Sequence, residues 1–165
     1  MSKHIRSRYQ AIKGFTLIEL MIIIALLSIV LGIAIPSFTQ LVNNNRSQAL
    51  AQEAVALLNF ARSTAVTQRT TTAVCPEADR WVLKAKNCDD DTVLRSLAIP
   101  AGASLSTQSD SFIFRYNGTS SAATIISCAN QQPTSGFFIE IKNTGSVRTF
   151  QRGQSSTGDL SSCDS

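Results

Sequence analysis

Histidine is nearly absent. His4 is the only one in 165 residues. Because that one histidine lies in the basic leader, histidine-based triads and metal motifs are excluded. No Cys-x-x-Cys pair occurs, which argues against a zinc ribbon or a dithiol redox centre. No glycine-rich phosphate loop or paired acidic motif stands out, and the many serines lack a nearby general base. The chain is therefore not expected to be an enzyme, and no cofactor or metal is expected. Charge is also sparse, at 16% of residues. The net charge of +4 comes from the N-terminus, because residues 1–14 hold Lys3, Arg6, Arg8 and Lys13 and no acid. The remainder has as many acids as bases, so the pI near 9 does not describe a basic body, and nucleic acid is not expected as a partner.

One stretch lacks charge almost completely. Residues 15–35 are apolar apart from a few small or polar residues, with Glu19 as the only ionisable group. Their length matches a membrane-spanning helix of ~20 residues. The run is too long for an ordinary secretory h-region, and no Ala-x-Ala site follows it. Its basic leader predicts a single pass with the N-terminus in the cytoplasm and the bulk of the chain exported. A carboxylate within the span costs roughly 2.5–3.5 kcal/mol on insertion scales, and such groups usually carry function. Glu19 therefore calls for a cationic partner in a later state.

Beyond the run, Pro36 is expected to kink or interrupt the helix locally. The helical period then resumes. Leu50, Ala54, Leu57, Leu58, Ala61 and Ala65 form a narrow, alanine-rich stripe suited to packing under a sheet. The predicted helix runs from Phe15 to about Gln68. From Thr70 the period changes, and strands are expected at 70–74, 80–84, 92–97, 111–116, 124–127, 136–141 and 147–150. Turns are marked by Pro100-Ala-Gly102, Asn117-Gly118, Pro133 with Gly136, and Asn143-Thr-Gly145. Asp89-Asp90-Asp91 reads as a solvated loop. Asn117-Gly118-Thr119 fits a glycosylation pattern but reads better as a tight turn. The expected class is α+β, a long N-terminal helix packed by its distal half against a mostly antiparallel sheet. The domain reading is 1–14 leader, 15–35 apolar helix, 36–69 amphipathic helix and 70–165 β-rich domain.

Four cysteines, Cys75, Cys88, Cys128 and Cys163, suit an oxidising compartment and two disulfides with three possible connectivities. Pairing of neighbours is favoured because short loops close most readily. The Ser- and Gly-rich tail from Gly153 would be disordered unless Cys163 ties it down.

Lys13-Gly14-Phe15-Thr16-Leu17-Ile18-Glu19, followed by the apolar run, resembles the signal of type IV pilins and pseudopilins. The resemblance implies cleavage after Gly14 by a membrane-embedded aspartyl prepilin peptidase and N-methylation of the new amine on Phe15. A side chain at residue 14 would hinder the protease. Glu19 would then meet the N-terminal amine of a neighbouring subunit, two charges that are penalised apart and define register together. Thr16, Leu17, Ile22, Ile23 and Leu26 read as packing residues. Phe60-Ala-Arg-Ser-Thr-Ala-Val-Thr-Gln-Arg69 and Phe112-Ile-Phe-Arg-Tyr-Asn-Gly118 are similar to segments of the FimU/FimT/GspH class of minor pilins, although Thr64 stands where an acid is frequent. That class implies the type IV pilin fold and a structural subunit. It would stay in the inner membrane before assembly and then enter a cell-surface pilus, with the peptidase, other minor pilins and the major pilin as partners.

Within the class, FimU-like members imply a subunit that helps prime pilus assembly and links a tip complex to the major pilin. FimT-like members imply DNA binding for transformation through a Gly-Arg-x-Arg motif. Here the segment is Gly145-Ser146-Val147-Arg148, with Ser146 in place of the first arginine, leaving Arg148 and Arg152 as candidate DNA contacts. GspH-like members imply a minor pseudopilin of type II secretion. The four cysteines and the strand region favour the FimU-like role.

Overall fold

In a computed structural model, residues 14–164 are described. The basic leader through Lys13, including His4, lies outside them, as does Ser165. The chain divides into two compact units, Met1–Thr39 and Gln40–Ser165.

A single α-helix, α1, spans Leu17–Thr67. The helix continues through Pro36, so of the expected kink or interruption the interruption does not occur. Proline removes one donor, while the Thr39 hydroxyl supplies a local bond to the Pro36 carbonyl at 2.8 Å. Every residue from Gly14 to Leu41 is exposed, as a span with no partner in its own unit must be. Within the second unit the alanine-rich stripe is buried, and Ser47, Ala51 and Thr64 join it.

The helix closes on a Schellman motif. The Thr70 N–H donates to the Ala65 carbonyl at 3.0 Å, and the Arg69 N–H donates to Val66 at 3.3 Å. Arg69 takes the left-handed position with φ 51°, a place usually given to glycine.

Eight strands follow: β1 Thr72–Pro76, β2 Arg80–Ala85, β3 Val93–Ala98, β4 Ala103–Ser106, β5 Phe112–Phe114, β6 Ala123–Ala129, β7 Phe137–Ile141 and β8 Val147–Thr149. They form two four-stranded antiparallel sheets, ordered β3-β2-β1-β5 and β4-β6-β7-β8, rather than the one sheet expected. β4 was not foreseen. Ala-Ser-Leu-Ser has little intrinsic strand preference, and its pairing with β6 supplies the ladder.

Both sheets bury one face on the second part of α1. The core joins Leu50, Leu57 and Leu58 to Val74, Trp81, Leu83, Phe112 and Phe114 of the first sheet and to Ile125, Ile139 and Ile141 of the second. Two polar locks sit inside it. The Ser47 and Ser127 hydroxyls each donate to the other residue's carbonyl at 3.1 Å, and the Thr72 hydroxyl donates to the Ala61 carbonyl at 2.9 Å. Disulfides join Cys75 to Cys88 and Cys128 to Cys163. The second holds the tail, and Leu160 is buried with Ile126, Cys128 and Phe138 on the outer face of the second sheet.

Candidate assembly site

Gly14, Phe15 and Glu19 lie together at the start of α1. Gly14 precedes the helix, and a Cβ built there would meet nothing within 4 Å. The Phe15 ring is exposed. Thr16 is the N-cap, its hydroxyl oxygen accepting from the Glu19 backbone N–H at 3.3 Å. Glu19 is then the acid of the first turn, where unpaired N–H groups and the helix dipole favour a negative charge. The Thr-x-x-Glu spacing of a capping box was already in the sequence and would have given Thr16 this role in place of packing. Among the described residues the one ion pair joins Arg80 to Glu77 at 2.7 Å, so Glu19 has no cation there.

Sequence reasoning missed the part played by Arg62. Its Nε donates to the Gly118 carbonyl at 3.0 Å and its Nη2 donates to the Thr144 carbonyl at 3.1 Å. One guanidinium thereby ties the turn after β5 and the β7–β8 hairpin to the helix. Gly145 makes this convergence possible, because it has φ +73° and a Cβ there would lie 2.0 Å from the Gly118 carbonyl oxygen. Asn117-Gly118 is a turn, with the Asn117 amide oxygen accepting from the Thr119 N–H at 3.1 Å.

Arg148 and Arg152 sit at the edge of the second sheet on different faces. The Arg148 guanidinium covers the Phe150 ring, 5.4 Å from its centroid, and Phe150 packs edge-on against Phe138 of the outer face. Arg152 covers Phe137 at 5.7 Å and donates to the Gln48 side-chain oxygen at 3.2 Å, on the helix side. The two cations therefore form no single stripe for a phosphate backbone. Two ionisable groups elsewhere are shifted. A hydrogen bond and the adjacent charge of Glu77 hold Arg80 above its ordinary value. The Thr92 N–H holds the Asp90 carboxyl below the usual range. Among the described residues no group of three or more His, Cys, Asp or Glu is placed to hold a metal.

The family model described as Type II transport protein GspH matches residues 50–145. The prokaryotic N-terminal methylation motif matches residues 10–35. No curated protein matches the chain. Among solved structures, the type IV minor pilin FimU of Pseudomonas aeruginosa is similar at 22% identity with a TM-score of 0.63, over 72% of this chain and 96% of that one. The minor pseudopilin EpsH from the type 2 secretion system of Vibrio cholerae is similar at 11% identity with a TM-score of 0.54, over 66% and 99%. At these identities the likeness establishes the fold, a long N-terminal apolar helix packed on antiparallel sheets.

Proposed function

The chain belongs to the GspH family of type II transport proteins, and on that premise we propose that it is a minor pilin of a type IV pilus, priming assembly and linking a tip complex to the major pilin. The observation that carries this reading is the joint presence of the methylation motif and a fold nearer to FimU than to EpsH. Prepilin peptidase would cut between Gly14 and Phe15 and methylate the Phe15 amine. The apolar helix holds the subunit in the inner membrane, N-terminus inside, until it is drawn into a fibre. There Glu19 leaves its own helix end for the amine of a neighbour. Apolar helices then replace lipid with each other.

The geometry supports this order of events. Thr16 caps the main chain of the first turn, and Glu19 stands in that turn, where the helix dipole favours a negative charge before any partner arrives. The β-rich part carries the partner-specific surfaces.

Deleting the gene and counting surface pili, secreted proteins and transformants in the same strain tests the assignment. Loss of pili with secretion intact is expected. Loss of secretion with pili intact would assign the subunit to type II secretion, and loss of transformation alone would favour the DNA-binding reading.

A further inference from the structure

The second sheet ends in a short strand that, among the described residues, pairs on one side only. β8 pairs only with β7, in the register Ile139↔Thr149, Glu140↔Arg148 and Ile141↔Val147. The Phe150 N–H donates to the Phe138 carbonyl at 2.9 Å, and the Lys142 N–H donates to the Ser146 carbonyl at 3.0 Å. In an antiparallel ladder bonded and non-bonded pairs alternate. Arg148 is therefore bonded to β7, and Val147 and Thr149 direct their N–H and C=O groups to the open side. An uncovered row of this kind is a template for an added strand.

The surroundings of this edge define what it would accept. Between α1 and β8 lies a groove of about 260 Å³ lined by Gln48, Ala51, Gln52, Val55, Phe137 and Thr149. Thr149 lines it and Val147 lies on the same face of the sheet, because their ladder partners Ile139 and Ile141 point into the core. A strand laid beside β8 would put every second side chain into this apolar groove. Its alternate side chains would rise on the outer face beside Arg148. At the end of the groove stands Arg152. Among the described residues neither guanidinium reaches a carboxylate. Glu140 is directly across from Arg148, yet the guanidinium stacks on Phe150 instead.

We propose that the β8 edge is a docking site for an extended acidic segment of a partner protein, which adds as a ninth strand with apolar side chains in the groove and carboxylates on the outer face beside Arg148. Main-chain bonds would give affinity and alternate side chains specificity. The charge argument selects the occupant, because Arg148, stacked on Phe150 with no carboxylate on it, stands on the outer face where the acids of a strand alternating acid and apolar residues would rise while its apolar residues enter the groove. That the partner is a neighbouring pilin subunit rests on the function proposed above. The strand addition itself does not.

The test uses the processed full-length chain in detergent micelles and a fluorescein-labelled ten-residue peptide alternating valine and aspartate. Saturable binding is expected by fluorescence anisotropy, lost for a scrambled peptide with its aspartates blocked together. Thr149→Pro removes only an outward N–H, so it leaves the β7 ladder intact and should weaken binding at least tenfold. Arg148→Glu should weaken it similarly. Should Thr149→Pro unfold the protein, a peptide N-methylated at every second amide asks the same question on the wild-type chain and should fail to bind. Equal binding of the N-methylated and parent peptides, or no binding of the parent peptide, overturns the proposal. Displacement of the peptide by duplex DNA that depends on Arg148 but not on Thr149→Pro would make the edge a nucleic-acid contact and overturn it too. None of these results touches cleavage at Gly14 or pilus number, so this proposal and the function proposed above fail separately.

Discussion

Among the described residues Gly14 has open space around it, since an added Cβ meets nothing within 4 Å. A Gly14→Leu variant should therefore fold as the wild type does and still remain as unprocessed precursor on a gel. Normal processing would remove the peptidase reading. Glu19→Ala should be cut normally but enter fibres poorly, because it loses the carboxylate that would meet the neighbour's amine, and immunoblots of sheared pili measure this. Glu19→Gln separates two roles. It keeps a hydrogen-bonding side chain at the helix start but no charge, so defective incorporation here too assigns the effect to charge and not to capping. Arg62 bears on stability instead. Arg62→Met should leave the Gly118 and Thr144 carbonyls without their charged donor. Bonds to charged groups are worth about 1.5–3 kcal/mol, and partial solvation of this site favours the lower end. A fall in Tm of about 4–8 °C is expected by circular dichroism, corresponding to roughly 1.5–2 kcal/mol.

At the scale of elements, the helix end gives a prediction of opposite sign. Arg69 occupies the left-handed position at φ 51°, which costs a non-glycine residue roughly 1–2 kcal/mol. Glycine relieves that strain and returns part of the gain as unfolded-chain entropy. Arg69→Gly should raise stability by about 0.5–1 kcal/mol, a few degrees in Tm, and a decrease would mean that the arginine side chain makes contacts worth more than the backbone strain. The helix was legible because its buried stripe has the right period: Leu50, Ala54, Leu57, Leu58, Ala61 and Ala65 are all buried. Seven strands were legible from alternation and turn residues. β4 was not, because Ala103–Ser106 becomes a strand only by pairing with β6, and local preference carries no record of such a partner. The split into two sheets was hidden for the same reason. Pro36 does not interrupt the helix, since its effect on φ and donors is local while the helix on both sides is long enough to continue. At the candidate site, Gly14, Phe15 and Glu19 stood out as a contiguous motif. Arg62 did not, because the carbonyls it binds lie 56 and 82 residues further along the chain.

For the whole molecule, the question is what keeps the tail on the second sheet. The Cys128–Cys163 bond closes a span of 35 residues and Cys75–Cys88 one of 13. Chain entropy assigns them about 4 and about 3 kcal/mol, figures that native strain and residual denatured structure usually reduce. Cys163→Ser with Cys128→Ser also frees the segment that buries Leu160 on Ile126 and Phe138, so apolar area is lost as well as a constraint. Domains of this size have only about 5–15 kcal/mol of net stability, and the Cys128–Cys163 variant should melt well below the Cys75→Ser/Cys88→Ser variant. It should also bind a hydrophobic dye at temperatures where it remains folded, because the outer face of the sheet is uncovered. Leu160→Ala in the disulfide-intact chain separates the two contributions. It should cost about 2 kcal/mol or somewhat more, with little dye binding, because the covalent tie still holds the tail in place. If the Leu160 variant bound dye as strongly as the chain without the disulfide, burial and not the cross-link would be what keeps the tail folded over the sheet.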